Sequence, residues 1–310
     1  MCDIWKNTDR QEISLEKLKG WLDSWYEGGV RQIVLSGGEA LMHSRAEQFM
    51  AALHQRGFSV ILLSTGLLLQ KYSQCLVKYC SQVIVSLDGP ETVHDAIRRI
   101  PRAYAKMKSG IEAIRAEQSD FCIRGRCTVQ KANFQSIRAT VSAAEDLGLD
   151  QISFLAVDTT SEAFDRPGGW DEDQQASVGL KEEDLPLLKA ELQQLFQEHS
   201  RNFERGFIAE SPDKLKLRLL AYFQASLGKG EFPPLRCNAP WVSAVLEANG
   251  TLRPCFFHRP YGRLLPEQDL IQSLNSASAR SFRGALKVEE NPICRRCVCF
   301  LALEKEETPK

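Results

Sequence analysis

Five short apolar stretches recur along the first half of the chain, at residues 31–35, 58–63, 83–87, 121–129 and 151–157, with helical segments between them. That alternation leaves few folds open. Most of these stretches are near-continuously apolar, which predicts a parallel sheet covered by helices. The segments between them carry their own punctuation. Ser14 is placed to cap a helix whose Leu15, Leu18, Leu22, Trp25 and Tyr26 fall at helical spacing, and Gly28-Gly29 ends it. Ser44-Arg45-Ala46-Glu47 resembles a capping box, opening a helix that runs to about residue 55 and stops at Gly57. Further helices are predicted over 67–78, 103–117 and 134–147. In such sheets ligands bind at the carboxyl ends of the strands. Gly37-Gly38-Glu39, Ser64-Thr65 and Ser86-Leu87-Asp88 fall at or near those ends and so point to one shared site. Arg124 to Arg126 fits less well, because it lies inside its strand.

After residue 158 the pattern changes. Residues 159–175 are polar with Gly and Pro, which predicts a loop able to cover the site. Helices follow over 180–198 and 212–227, then a linker over 228–234 and a cysteine-rich segment over 235–300. The balance of 39 Lys and Arg against 40 Asp and Glu, a net charge of -1, argues against nucleic acid or an anionic membrane as partner. No run reaches membrane-spanning length, since the most apolar piece, residues 58–69, is broken by Ser59, Ser64, Thr65 and Gly66. The N-terminus carries charges where a signal peptide needs an apolar region, so a cytoplasmic protein is expected. Ten cysteines in such a chain argue for reduced thiols and metal ligands over disulfides.

The C-terminal cysteines have a definite grammar. Cys237 is followed after twelve residues by Gly250 and after four more by Cys255, and then comes Cys294-Arg295-Arg296-Cys297-Val298-Cys299. Asn249-Gly250 between Val245-Leu246 and Leu252 predicts a β-hairpin flanked by Cys237 and Cys255. Two thiolates beside a hairpin plus a later C-x-x-C is how small metal modules are built, and zinc or an iron–sulfur cluster would accept the same four sulfurs. Cys75, Cys80, Cys122 and Cys127 have no ligand-like spacing and read as core residues. Gly37-Gly38 lets a ligand approach the backbone while Glu39 accepts from an ammonium, although Gly-Gly alone is a tight turn. Ser86-Leu87-Asp88-Gly89-Pro90 is either a commonplace Asp-Gly turn or a pair of groups, Ser86 and Asp88, for a sugar hydroxyl. His94 is expected to bond locally, and Arg98 and Arg99 to be solvated.

Taken together, Cys-Asp-Ile-Trp-Lys at 2–6, Ser-Gly-Gly-Glu at 36–39, Val-Ser-Leu-Asp-Gly-Pro at 85–90 and His94-Asp95 with Arg98 resemble the radical S-adenosylmethionine (SAM) enzymes. The module with Cys237, Gly250, Cys255, Cys294 and Cys297 is similar to that family's SPASM or shorter twitch extension. The resemblance implies an α/β fold, a partial (β/α)6 TIM-like barrel, with a small cysteine-rich α+β module. It places the barrel over residues 1–165, a helical connector over 166–234 and the auxiliary module over 235–310. It implies an oxidoreductase that cleaves SAM reductively to a 5′-deoxyadenosyl radical and so modifies a peptide or a small molecule. A flavodoxin- or ferredoxin-type protein would donate the electron.

Residue by residue, Cys2 matches the third thiolate of the loop that holds a SAM-ligating [4Fe–4S] cluster. Gly37, Gly38 and Glu39 would hold the methionine ammonium, with Ser64 and Thr65 lining the same pocket. Ser86 and Asp88 would reach the ribose or carboxylate, Arg126 is a carboxylate partner, and Leu155 or Ala156 would pack near the adenine. Cys237, Cys255, Cys294 and Cys297 would hold one auxiliary [4Fe–4S] cluster, with Cys299 a spare or a substitute, because the further C-x5-C-x3-C run of a two-cluster extension is missing. The family's first two motif cysteines and its first strand should precede Met1. An N-terminally truncated chain is therefore expected, with the 31–35 strand as an open edge. The alternative is a noncatalytic iron–sulfur or zinc-binding protein that retains the barrel.

Overall fold

In a computed structural model, which describes residues 3–6, 11–265 and 268–303, five parallel strands form one sheet in sequential order. They are β1 (Gln32–Leu35), β2 (Ser59–Ser64), β3 (Gln82–Ser86), β4 (Ile123–Val129) and β5 (Gln151–Ala156). Helix α1 (Leu15–Glu27) precedes β1, and α2 (Ala46–Arg56), α3 (Leu69–Tyr79), α4 (Glu91–Arg98), α5 (Ala103–Glu117) and α6 (Ile137–Asp146) fall between the strands. Ser14 caps α1 by accepting from the Lys17 N–H at 3.2 Å, as its sequence predicts. Gly57 ends α2 in the left-handed region at φ 98°.

The two faces of the sheet differ. Val60, Leu62, Val83, Val85, Ile123, Cys127, Val129, Ile152 and Phe154 are buried with the helices in the main core. The opposite face carries Ile61, Ile84, Ser86, Arg124, Arg126, Gln151, Ser153 and Leu155, none of which is buried. The strands therefore alternate in burial, with the helices covering one face and the other left open. The register puts Ser86 beside Arg126 and Arg126 beside Ser153, so Arg124 and Arg126 sit on that open inner face. Their place inside β4 is what the lumen of a half-closed barrel requires. The sheet extends beyond β5 through an isolated parallel bridge from Ile152 to Ile208. At the other edge β1 pairs with β2 alone among the described residues, and Val34 is 49% exposed.

Beyond the barrel come α7 (Glu172–Val178), α8 (Leu185–Glu198) and α9 (Ser200–Glu204). A helical rod follows, made of α10 (Pro212–Leu215), a π-turn (Lys216–Ala221) and α11 (Tyr222–Ser226). Helix α7 begins inside the predicted loop and runs past its end at residue 175. Asp171 caps it by accepting from the Gln174 N–H at 2.7 Å, and the Gln174 side chain accepts from the Asp171 N–H in return. The capping box expected at Ser44 does not form, because the Ser44 N–H and hydroxyl both go to the Glu12 carboxylate.

The C-terminal module holds α12 (Ala239–Val242), strands β6 (Val245–Leu246), β7 (Thr251–Arg253) and β8 (Gly262–Arg263), then α13 (Leu270–Leu274), α14 (Ala277–Ala285) and α15 (Pro292–Arg295). The β6–β7 hairpin turns at Asn249-Gly250 as predicted. Gly250 sits at φ 90°, and a Cβ there would come within 2.7 Å of the Leu264 carbonyl oxygen, so only glycine fits. The module docks on the barrel where the Trp21 indole N–H of α1 donates to the Leu265 carbonyl at 3.3 Å.

Candidate functional site

At the carboxyl ends of β1 and β2 one carboxylate gathers several donors. Glu39 accepts from the Leu41 N–H at 3.3 Å, the Ser64 hydroxyl at 3.0 Å, the Thr65 N–H at 2.8 Å and the Thr65 hydroxyl at 2.5 Å. The sequence motifs at 37–39 and 64–65 therefore meet in space. Gly37 lies at φ 135°, and among the described residues none but its chain neighbours comes within 4 Å of where a Cβ would stand, which leaves its backbone open to a ligand. A Cβ on Gly38 would meet Ile4 at 3.4 Å, so the segment beginning at Asp3 lies over this turn. Cys2, the predicted cluster ligand, falls outside the described residues.

Ser86 stands on the inner face beside Arg126, and Arg126 is exposed there. Asp88 is different. It is 1% exposed, and its carboxylate pairs with Arg98, whose Nε lies 2.6 Å away in an ionic contact that lacks hydrogen-bond alignment. The Asp88 N–H donates to His94 Nδ1 at 3.2 Å, which assigns the His94 proton to Nε2, and the Asp88 carbonyl accepts from the Asn133 amide at 2.9 Å. Burial pushes the Asp88 carboxyl up and Arg98 pulls it back. Burial, with Arg98 beside it, holds His94 down at about 4. Two expectations are corrected here. The Asp88 carboxylate is committed inside the turn and not offered to a ligand, and Arg98 is its counter-ion and not a solvated residue. Of Leu155 and Ala156, Leu155 lies on the open face while Ala156 is 1% exposed under the helices.

The segment after β5 is held by a buried arginine. Arg166 is 1% exposed, pairs with Asp158, and donates to the Asp158 and Ala163 carbonyls at 2.7 Å each. Its guanidinium lies 4.7 Å from the Trp170 ring centroid. The Trp170 indole N–H donates to the Asp3 carboxylate at 2.9 Å. Phe164, at φ 63°, stacks on Phe256 of the C-terminal module with centroids 6.3 Å apart. This segment thus touches both the stub that precedes α1 and the module.

Cys237, Cys255, Cys294, Cys297 and Cys299 line one cavity of about 50 Å³. Sequence reasoning missed His258, which is buried in the same wall with Nε2 3.2 Å from the Cys294 sulfur. Among the described residues no three His, Cys, Asp or Glu side chains converge closely enough to hold a metal ion as they stand. The chemistry of the set nevertheless fits a thiolate-bound cluster. Burial, then the charges of Cys255 and Cys237, push the Cys294 thiol up to about 12, and Cys297 is pushed up for the same kinds of reason. Thiolates crowded this way oppose one another unless a cation sits among them. Cys75, Cys80 and Cys127 are buried and Cys122 is partly buried, all apart from this cavity, as their spacing predicts.

The model of the radical SAM superfamily matches residues 1–144, and that of an iron–sulfur cluster-binding domain, SPASM, matches residues 237–298. The subtilosin biosynthesis protein AlbA of Bacillus subtilis is 24% identical over 305 residues, which are 93% of this chain and 61% of AlbA. An AdoMet-dependent heme synthase of Methanosarcina barkeri is 30% identical over 142 residues, 44% of this chain and 40% of the synthase. The chain thus spans less than two thirds of either relative. Among solved structures, native anSMEcpe with bound AdoMet superimposes over 96% of this chain and 82% of its own, at TM-score 0.66 and 15% identity. Streptococcus suis SuiB bound to precursor peptide SuiA covers 96% of this chain and 68% of its own, at TM-score 0.61 and 15% identity. These structures share the α/β partial barrel with a small C-terminal module. Among the described residues no helix is long and apolar enough to cross a membrane.

Proposed function

This chain belongs to the radical SAM superfamily and carries a C-terminal SPASM domain, and from that premise we propose that it modifies a peptide by hydrogen abstraction. When bound together, a reduced [4Fe–4S] cluster and SAM supply a 5′-deoxyadenosyl radical for that abstraction. The observation that carries the reading is the Glu39 cradle. A carboxylate fixed by Ser64, Thr65 and Leu41 at the strand ends, beside an open Gly37, fits the α-ammonium of an amino acid. Ser86 and Arg126, adjacent on the inner face, would take the carboxylate of that same group. Leu155 offers an apolar surface to the adenine. The backbone amide of Thr65 cannot rotate away, so Glu39 is held ready before any ligand arrives. A peptide substrate is favoured because AlbA acts in subtilosin biosynthesis and SuiB was solved with a precursor peptide. The cysteine-lined cavity would hold an auxiliary cluster, and a flavodoxin- or ferredoxin-type protein would deliver the electron.

A [4Fe–4S] cluster is held by several thiolates, and Cys2 is the single cysteine ahead of Cys75. The test therefore uses both the chain itself and the protein translated with the coding sequence upstream of Met1. After anaerobic reconstitution with iron and sulfide, reductant and SAM are added and 5′-deoxyadenosine is measured. The longer form should produce it, and Glu39→Gln in that form should weaken SAM binding about tenfold, the loss of one charge-assisted contact. If neither form makes 5′-deoxyadenosine while both bind zinc tightly, the protein is a noncatalytic metal-binding relative and the proposal fails.

A further inference from the structure

The barrel lumen has a second polar region below the level of Ser86. A cavity of about 290 Å³ opens there between β4, β5 and the helical rod, and it is lined by Arg124, Arg126, Lys214, Arg218 and Glu210. Its charges do not balance. Arg218 Nη1 lies 3.1 Å from one Glu210 oxygen, and the other Glu210 oxygen accepts the Phe154 N–H at 3.1 Å. Glu210 is 5% exposed, so the one acid in the wall is wholly committed. Among the described residues, Arg124, Arg126 and Lys214 have no carboxylate within ion-pair distance. Three cations facing one concavity repel each other and concentrate anions in it.

The strand register separates their tasks. Arg126 stands level with Ser86 and Ser153, whereas Arg124 stands level with Ile84 and Gln151, two residues nearer the amino end. Two residues along a strand is about 7 Å, so Arg124 lies well below the level at which Ser86 and Arg126 face a ligand. Arg126 is taken up by the SAM side of the lumen, and Arg124 and Lys214 are left without a counter-charge.

From this arrangement we infer that Arg124 of β4 and Lys214 of α10 form a subsite for a carboxylate of the substrate. An arginine fork matches the two oxygens of a carboxylate, and the lysine adds a point charge from the facing helix. The Glu210–Arg218 pair positions the wall and does not bind the substrate itself. The inference rests on the peptide-modifying reading only for what carries the carboxylate: an acidic side chain or the C-terminus of the peptide. It makes a peptide that presents a carboxylate to the lumen the substrate class.

The subsite is tested by binding, without turnover. Three small probes are titrated into the reconstituted full chain: N-acetylglutamate α-amide for an acidic side chain, N-acetylglycine for a C-terminus, and N-acetylglutamine α-amide as the neutral control. At least one of the two acids should bind about tenfold tighter than the glutamine probe, and which acid it is identifies the source. Arg124→Gln and Lys214→Gln should each bring that preference below about threefold, with SAM affinity and the circular-dichroism melt unchanged. Equal binding of acids and amide overturns the inference, as does a preference that survives in the Arg124→Gln, Lys214→Gln double variant. Inorganic phosphate binding as tightly as the better acid overturns the carboxylate assignment. SAM affinity is read separately, on the longer form of the protein, so an acid preference beside a failure of that form to bind SAM would sink the proposed function and leave the subsite standing.

Discussion

Asp88 and Arg98 show how a single pair can be misread from sequence and what it then does. The stretch Ser86-Leu87-Asp88-Gly89-Pro90 looks like a ligand-binding turn, and Arg98 looks solvated, because ten residues of chain hide the fact that α4 folds the two together. Only the tertiary return of the helix makes the pair, and no local pattern announces it. By contrast, Gly37, Gly38, Glu39, Ser64 and Thr65 were legible, since each sits where an apolar strand stops and strand ends converge in a parallel sheet. The pair is expected to be structural. Arg98→Leu should cost about 3–5 kcal/mol at neutral pH, because it strands a buried carboxylate without its partner. The sign of the pH dependence follows from the raised Asp88 pKa. A carboxyl raised in the folded state favours folding fully below the unfolded value of about 3.9, and this is lost as pH rises through the folded value. Removing Arg98 removes what pulls the carboxyl back down, so the penalty should shrink as the pH is lowered to about 4.5. His94, held at about 4 by burial first and by Arg98 second, destabilises the fold over that range, and less so once Arg98 is gone, so it shrinks the penalty in the same direction. Urea unfolding of the two proteins at both pH values measures this. An equal loss at both would show that Asp88 does not carry the cost.

At the scale of elements, the strands and the longer helices were readable because apolar periodicity decides them, and α5 was predicted to the residue at 103–117. What escaped were elements whose residues answer to distant partners. Ser44 has every local mark of an N-cap yet turns to Glu12, and the β4 arginines look out of place until one face of the sheet is seen to be open. The segment from Asp158 to Trp170 is the clearest case. Its polar composition reads as a loose cover, but Arg166 satisfies four acceptors inside it and stacks near Trp170, which in turn holds Asp3. One buried guanidinium therefore orders a segment that has little apolar content of its own. Arg166→Ala should release it, and the signature is local: hydrogen exchange of amides 159–170 rising by at least an order of magnitude while the strands stay protected. Arg166→Lys should rescue little, since an ammonium cannot present the planar fork that reaches all four acceptors. Exchange unchanged in the alanine variant would mean that the aromatic contacts alone order the segment.

Across the whole molecule, the barrel and the cysteine module are joined through side chains from both ends of the chain. Phe164 reaches Phe256, Trp21 reaches Leu265, and the Arg218 guanidinium of the rod lies 4.6 Å from the Phe300 ring. Arg218 also pairs with Glu210 in the lumen wall, so the residues just after Cys299 abut the side chains that shape the candidate subsite. The five cysteines themselves were legible from spacing, while their common cavity and the neighbouring His258 were not, because a histidine without a motif gives no signal in the sequence. If one auxiliary cluster occupies that cavity, its loss should be felt beyond the module. Cys294→Ser, at the one buried residue among the five cysteines, should lower bound iron by about four atoms per chain and remove the matching visible absorbance. Because metal binding couples to folding, the same change should lower the melting temperature of the reconstituted protein but not of the metal-free one, where a serine hydroxyl can keep the contact that the thiol makes to His258 Nε2. Hydrogen exchange around residues 256–264 should rise with it, and through Arg218 and Phe300 so should exchange in the helical rod at 216–226. Full iron content in Cys294→Ser would remove this cysteine from the ligand set. Unchanged exchange in the rod after the iron is lost would show that the module and the lumen wall respond independently.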